Sequence, residues 1–127
     1  MKVITTLIAL SSLAYLGLCD AGVATTYKSP YLPTRCHGND QGQFPPEYLF
    51  AAIGPGQWNN GAACDRHYII RCTSPIGGIG QCKPGYITVK IVEGRLGNRA
   101  PDFSIPPQAV EKIYTGAGRF KIEFGEA

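Results

Sequence analysis

The spacing of the cysteines constrains this chain more than any other feature of its sequence. Four of the five cysteines follow the N-terminal segment, at Cys36, Cys64, Cys72 and Cys82. Four cysteines in a small exported domain indicate two disulfides, for which three pairings exist. The Gly/Pro-rich loop 73–81 can bring its ends together, which favours Cys72–Cys82 and leaves Cys36–Cys64 as the second bridge. A metal site of Cys64, His67, Cys72 and Cys82 is the weaker interpretation, because its spacing matches no common zinc pattern.

The N-terminal segment predicts export. Lys2 precedes a mostly apolar run over residues 3–18, and small residues follow at Cys19, Ala21 and Gly22. This order is typical of a secretory signal peptide, whereas a membrane anchor needs about 20 strongly apolar residues. We expect cleavage after Ala21, with cleavage after Cys19 or Gly22 nearly as well supported. Residues 1–21 are therefore predicted as signal peptide and residues 22–127 as one domain.

Charge and hydropathy exclude some partners. The chain carries a net charge of +3 at pH 7, with Lys and Arg scattered along it. Nucleic-acid-binding domains usually show a basic stripe, so we exclude nucleic acid as a partner. No later apolar run is long enough to span a membrane. We expect a monomer that holds no metal and no cofactor.

Short β-forming segments bounded by Gly and Pro predict an all-β fold. Residues 22–27, 67–72 and 86–92 are rich in β-branched and aromatic residues, and residues 119–124 alternate polar with apolar side chains. Residues 47–53 fit a strand or a single helical turn, and Asn60-Gly61 marks a turn. We expect one short helix over residues 107–113, with Ser104 as its N-cap. Many short strands and one helix favour a small closed β-barrel.

Five stretches of the chain resemble plant natriuretic peptides. They are G-V-A-T-T-Y, C-H-G-N-D-Q-G, W-N-N-G-A-A-C-D-R-H-Y-I-I-R-C, Y-I-T-V-K-I-V-E and D-F-S…A-V-E-K-I, in that order. These proteins, also called endoglucanase-45-like domain proteins, include the blight-associated proteins and are related to the first domain of expansins. The resemblance covers essentially the whole of residues 22–127. It implies a six-stranded double-psi β-barrel, an apoplastic location and a systemic role in water and solute homeostasis.

Two departures from the family pattern bear on activity. Family members usually carry two further cysteines after K-I-V-D, whereas this chain has Glu93 for the Asp and no cysteine in residues 93–101. We therefore expect that loop to be mobile. In family-45 endoglucanases the catalytic acid matches Asp102, and the base matches Ser29, whose hydroxyl activates water poorly. We predict no catalytic residue, with Asp102 as a vestigial acid.

The resemblance also implies a surface groove. Its predicted residues are Thr25, Tyr27, Trp58, Glu93 and Asp102. The aromatic side chains of Tyr31, Phe44 and Tyr48 suit stacking on sugar rings. The arginines Arg35, Arg66 and Arg71 suit contact with acidic pectin or a receptor. The leading interpretation is a non-enzymatic signalling protein with a cell-surface receptor. The alternatives are an expansin-like binder of cell-wall polysaccharide, with weak or no wall-loosening activity, and a barwin-like defence protein.

Overall fold

The computed structural model describes residues 20–127 and shows a closed barrel of six strands. In chain order the elements are β1 (Asp20–Thr26), β2 (Phe50–Ile53), α1 (Pro55–Trp58), β3 (His67–Pro75), β4 (Gln81–Cys82), β5 (Ile87–Gly94), β6 (Phe103–Ile105), α2 (Pro107–Val110), β7 (Tyr114–Thr115) and β8 (Phe120–Glu126). Short 3-10 turns cover Gln41–Gln43, Pro46–Tyr48 and Asn59–Gly61. No helix among these is long and apolar enough to cross a bilayer.

The strand order around the barrel is β1-β6-β2-β5-β3-β8, and β8 pairs with β1 to close the ring. Two of the pairs, β1 with β6 and β2 with β5, are parallel, and the others are antiparallel. The predicted all-β class and the six-stranded double-psi β-barrel are confirmed. β4 and β7 form a separate two-stranded ribbon beside it.

The barrel interior is filled by one side of each strand. In β3, Tyr68, Ile70 and Cys72 are buried while their neighbours are more exposed, which is the period-two pattern of a half-buried strand. Phe103 is fully buried and packs edge-on against Phe124, with ring centroids 4.9 Å apart. Such aromatic pairs contribute about 0.5–1.5 kcal/mol beyond the area they bury.

Both predicted disulfides are confirmed. Cys36 bonds to Cys64 and Cys72 to Cys82, with Cα–Cα distances of 5.5 and 5.4 Å. Because the four cysteines in the described part of the chain are bonded in pairs, the alternative of a metal site made from Cys64, His67, Cys72 and Cys82 is wrong. Two disulfides in a small domain fit a protein that matures in an oxidising compartment.

Three local predictions need correction or refinement. The helix predicted over residues 107–113 ends at Val110, and its N-cap is Pro106. Ser104 is instead buried in β6, so it is not a capping residue. Residues 47–53 hold both predicted alternatives in succession, a 3-10 turn and then β2.

The predicted signal peptide falls largely on residues 1–19, which lie outside the described residues. The described chain begins with β1 at Asp20. Cleavage after Cys19 would leave this strand whole, whereas cleavage after Ala21 would remove its first two residues.

Candidate functional site

Four residues in register form a band across the outer face of the barrel. Glu93 pairs with Ala52, Ala52 with Ser104, and Ser104 with Thr25, on the adjacent strands β5, β2, β6 and β1. Adjacent strand residues such as Ile53 lie in the core, so these side chains point away from the barrel interior, although Ala52 and Ser104 are covered and only 1% exposed. We call this set, Thr25, Ser104, Ala52 and Glu93, the outer row. It spans three strand spacings, about 14 Å.

Arg95 crosses the outer row. Its backbone N–H donates to Ile53 O at 2.9 Å, which fixes the residue just beyond the end of β5. Its Nη1 donates to the Ser104 Oγ at 2.8 Å. Because Ala52 stands between Glu93 and Ser104 and is small, the guanidinium can lie across the β2–β6 surface. Ser104 therefore serves as the anchor of a cationic side chain.

Tyr27 continues the outer row beyond the end of β1. Its backbone N–H donates to Ile105 O at 3.0 Å, so the residue extends the β1–β6 ladder. Burial raises the pKa of the Tyr27 hydroxyl, the nearby Glu93 carboxylate raises it further, and Arg95 acts in the opposite direction. Tyr27, Glu93 and Arg95 thus share one electrostatic neighbourhood, and the phenol stays protonated over the physiological range.

The Glu93 carboxylate is used to hold the chain together. Its Oε1 accepts hydrogen bonds from the backbone N–H groups of Arg35 at 3.0 Å and Gly94 at 2.9 Å. The same oxygen lies 3.8 Å from the Arg35 Nε, and the Glu93 side chain is 20% exposed. These contacts attach the segment that carries Cys36 to the end of β5.

Asp102 makes a similar structural contact with β1. Its Oδ2 accepts the Val23 N–H at 2.9 Å, and its own backbone N–H donates to Val23 O at 2.9 Å. Asp102 O accepts the Gly54 N–H at 2.8 Å, so the residue also joins β2 to this edge. A side chain at Gly22 would place Cβ 2.6 Å from the Asp102 Oδ2, which shows how closely β1 fits the carboxylate.

The two carboxylates do not face each other. Gly94 pairs with Ile53 at the end of β2, and Gly54 bonds to Asp102 on the other side of that strand. Two strand spacings separate their backbones by about 10 Å. The Glu93 side chain turns to Arg35 and the Asp102 side chain to Val23, so each is held by its own backbone donor.

Trp58 lies on the opposite side of β5 from Glu93. Its ring covers Gly94, where an added Cβ would lie 2.9 Å from the Trp58 Cε3, and it packs against the barrel core. Neighbouring residues of a strand point to opposite faces. Of the five predicted groove residues, Tyr27 therefore lies near Glu93, and Thr25 shares their face of the barrel about 14 Å from Glu93. Trp58 and Asp102 are directed elsewhere.

An aromatic pocket beside Tyr27 was not predicted as a unit. The pocket has a volume of about 370 Å³, and its aromatic lining consists of Tyr31, Phe44, Tyr48 and Phe50. Tyr31 contacts both Tyr27 and Phe50 edge-on, with centroid distances of 5.0 Å. The sequence marked Tyr31, Phe44 and Tyr48 as sugar-stacking candidates, but their convergence depends on β2, which carries Phe50.

Two of the predicted arginine contacts are satisfied internally. Arg66 lies 3.8 Å from Glu126, and Arg71 pairs with Glu123 across β3 and β8. Arg35 is more exposed and contacts Glu93 and Gly94 O. All three arginines thus have a carboxylate nearby, and Arg35 has the most exposed side chain, at 59% against 36% for Arg66 and 40% for Arg71.

Comparison with known proteins agrees with this architecture. No protein-family model matches the chain. An EG45-like domain containing protein of Citrus jambhiri is 34% identical over 123 residues, which cover 93% of this chain and 87% of that protein. The crystal structure of apo-Clavibacter michiganensis expansin matches with a TM-score of 0.58 at 17% identity, covering 84% of this chain and 49% of the expansin chain.

The closed barrel has the double-psi fold found in the expansin structure, and the chain spans about half of the matched expansin chain. Similarity over nearly its whole length then identifies the family. The chain belongs to the EG45-like domain containing proteins.

Proposed function

We propose that this chain is a secreted, non-enzymatic protein of the plant natriuretic peptide type. It acts in the apoplast on water and solute balance, as a monomer that engages a cell-surface receptor. Residues 1–21 are its signal peptide and residues 22–127 its active domain. The proposal rests on membership of the EG45-like family together with the chemistry of the site.

The proposal that the protein is not an enzyme rests on one observation. Both candidate carboxylates accept hydrogen bonds from backbone N–H groups. Asp102 holds Val23, and Glu93 holds Arg35 and Gly94. Glycoside hydrolysis needs one carboxyl group as acid and a second as base or nucleophile across the scissile bond. The position that resembles the base is Ser29, and a hydroxyl does not supply the required basicity.

Protoplast swelling tests the signalling function. Purified, oxidised protein at nanomolar dose is expected to swell plant protoplasts, and the Asp102→Ala variant is expected to act equally well once its folding is verified by circular dichroism. Protein unfolded by heat and reductant is the matched control. Absence of swelling with correctly folded wild-type protein would contradict the natriuretic function.

A hydrolysis assay tests the non-enzymatic part separately. Incubation with soluble cellulose derivatives is expected to release no reducing ends from either protein. Release by wild type that disappears in the Asp102→Ala variant would make Asp102 a working acid and the protein a hydrolase.

The aromatic pocket favours a second candidate function, binding of neutral cell-wall polysaccharide. Tyr48 is 45% exposed at the edge of this pocket, in position to stack on a sugar ring. This candidate predicts retention on cellulose or xyloglucan that is weakened in the Tyr48→Ala variant. The signalling function by itself predicts little retention of either protein.

A further inference from the structure

Four arginines line one cleft beside the outer row. The cleft has a volume of about 520 Å³, and its charged lining consists of Arg35, Arg95, Arg99 and Arg119. These residues come from three separate parts of the sequence and are all exposed. The remaining lining residues are uncharged, and several are small, which leaves the cleft open. The fold therefore concentrates positive charge that is dispersed along the sequence.

Three of the four guanidinium groups are held in place by neutral acceptors. Arg95 donates to the Ser104 Oγ at 2.8 Å, Arg119 to the Arg99 O at 2.7 Å, and the Arg35 Nε to Gly94 O at 3.1 Å. Each guanidinium has five N–H donors, so most donors of these three side chains remain available. The side chains are oriented before a ligand arrives, which lowers the entropic cost of binding.

The cleft arginines differ from the other arginines in their charge balance. Among the described residues, Arg66 and Arg71 form ion pairs, whereas Arg95, Arg99 and Arg119 have no carboxylate within ion-pair distance. Arg35 alone of the cleft arginines has an acidic neighbour, Glu93. The net charge of the whole chain is only +3, so a cleft with four arginines carries a local excess that the rest of the surface does not share.

We propose that this cleft binds an acidic polysaccharide through the carboxylates of its uronic acid residues. The planar guanidinium matches a carboxylate with two parallel hydrogen bonds, which a lysine cannot make. The half-buried Leu96 supplies an apolar contact for a sugar ring, and Gly97 leaves room for one. The two disulfides indicate an extracellular setting, where carboxylated polysaccharide is a polyanion that such a protein meets.

The position of the cleft agrees with an extended ligand. Arg95 lines the cleft and also contacts Ser104 of the outer row. Thr25, at the other end of the outer row, donates from Oγ1 to Gly118 O at 3.5 Å, next to Arg119. Ala52 and Ser104 are only 1% exposed, so a polyuronate chain can contact the cleft and extend past Arg119 towards Thr25 but does not touch the middle of the outer row. The proposal stands whether or not the protein causes swelling.

Retention on immobilised polygalacturonate tests the proposal. The wild-type protein is expected to bind and to be released as salt rises, because exposed charges are screened by ions. The Arg99→Gln/Arg119→Gln variant is expected to bind at least about tenfold more weakly, since it loses two charged hydrogen-bonding groups. The Arg66→Gln/Arg71→Gln variant has the same change in charge, alters arginines outside the cleft, and is expected to stay within about twofold of wild type.

Two further variants and three competing anionic ligands complete the test. Arg99→Lys and Arg95→Lys retain charge without the bidentate geometry and are expected to bind with intermediate affinity. Loss of binding by the same factor in both double variants would overturn the cleft site in favour of a diffuse charge effect. Absence of wild-type retention, or tighter binding to polyphosphate, RNA or phosphatidylserine vesicles than to polygalacturonate, would overturn the choice of ligand.

Discussion

The hydrogen bond between Asp102 and Val23 predicts that Asp102→Ala reduces stability, whatever its effect on activity. The Asp102 Oδ2 accepts the Val23 N–H at 2.9 Å in a partly buried setting. A hydrogen bond to a charged group contributes about 1.5–3 kcal/mol, and a donor left without a partner costs a similar amount. Because the site is only partly buried, we expect a loss of about 2 kcal/mol in the free energy of unfolding.

The assay is urea unfolding followed by circular dichroism, with thermal unfolding alongside. A loss of about 2 kcal/mol lowers Tm by about 8 °C or more in a domain of this size. Asp102→Asn keeps an oxygen acceptor and is expected to lose about 1 kcal/mol or less. Gly22→Ala perturbs the same contact from β1, because its Cβ would lie 2.6 Å from the Asp102 Oδ2.

A double-mutant cycle decides whether the contact is the cause. Gly22→Ala alone is expected to cost about 1–3 kcal/mol through overpacking. In the Asp102→Ala background part of that penalty should vanish, because the carboxylate is gone while the contact with Phe124 remains. Strictly additive effects, or an Asp102→Ala protein as stable as wild type but inactive, would refute the structural role and indicate that Asp102 binds a ligand.

Two other contacts give predictions of their own. Gly94→Ala would place Cβ 2.9 Å from the Trp58 Cε3, so we expect a loss of about 1–3 kcal/mol and a red shift in the fluorescence of this single tryptophan; unchanged emission would contradict the packing. The hydrogen bond from His37, at 2.7 Å, lowers the pKa of Asp65. A carboxyl group whose pKa is lower in the folded state stabilises the fold at pH values above the ordinary Asp pKa of about 3.9. This stabilisation is lost as the pH falls through the folded-state pKa. Asp65→Asn is therefore expected to cost about 0.2–1 kcal/mol at neutral pH and nothing in strong acid, as measured by urea unfolding at several pH values; equal effects at both would contradict it.

The strands that the sequence predicted correctly are those with a strong local pattern. β8 follows the polar-apolar alternation of residues 119–124, and β3 and β5 follow runs of β-branched and aromatic residues. β2 was ambiguous because all four of its residues are buried, which removes the alternation. β6 was missed, and Ser104 assigned to a helix cap, because its three residues form a strand only by pairing with β1 and β2.

The candidate site was predictable only in part, for a similar reason. Tyr27 and Thr25 share a face because they are two residues apart on one extended segment, which the sequence shows directly. That they share this face with Glu93, and that Tyr27 comes near it, depends on β2 and β6 lying between β1 and β5. The cleft depends on still more distant parts of the chain, since Arg35 and Arg119 meet Arg95 only in the closed barrel. Scattered charges along a sequence thus do not exclude a concentrated charge on the folded surface.

The segment between β5 and β6 contributes exposed side chains to the cleft and forms no part of the barrel wall. Its ends are fixed by the Arg95 N–H to Ile53 O and by the Asp102 N–H to Val23 O. Between them, in the described part of the chain, residues 96–101 make one backbone hydrogen bond, from the Ala100 N–H to Gly97 O, and none to a strand. Loops of this kind tolerate sequence change because the elements they connect do not depend on them. A chain that lacks cysteines in this segment can therefore keep the barrel and acquire a different binding surface. Arg95 and Arg99 of this segment line the cleft that we propose binds polyuronate.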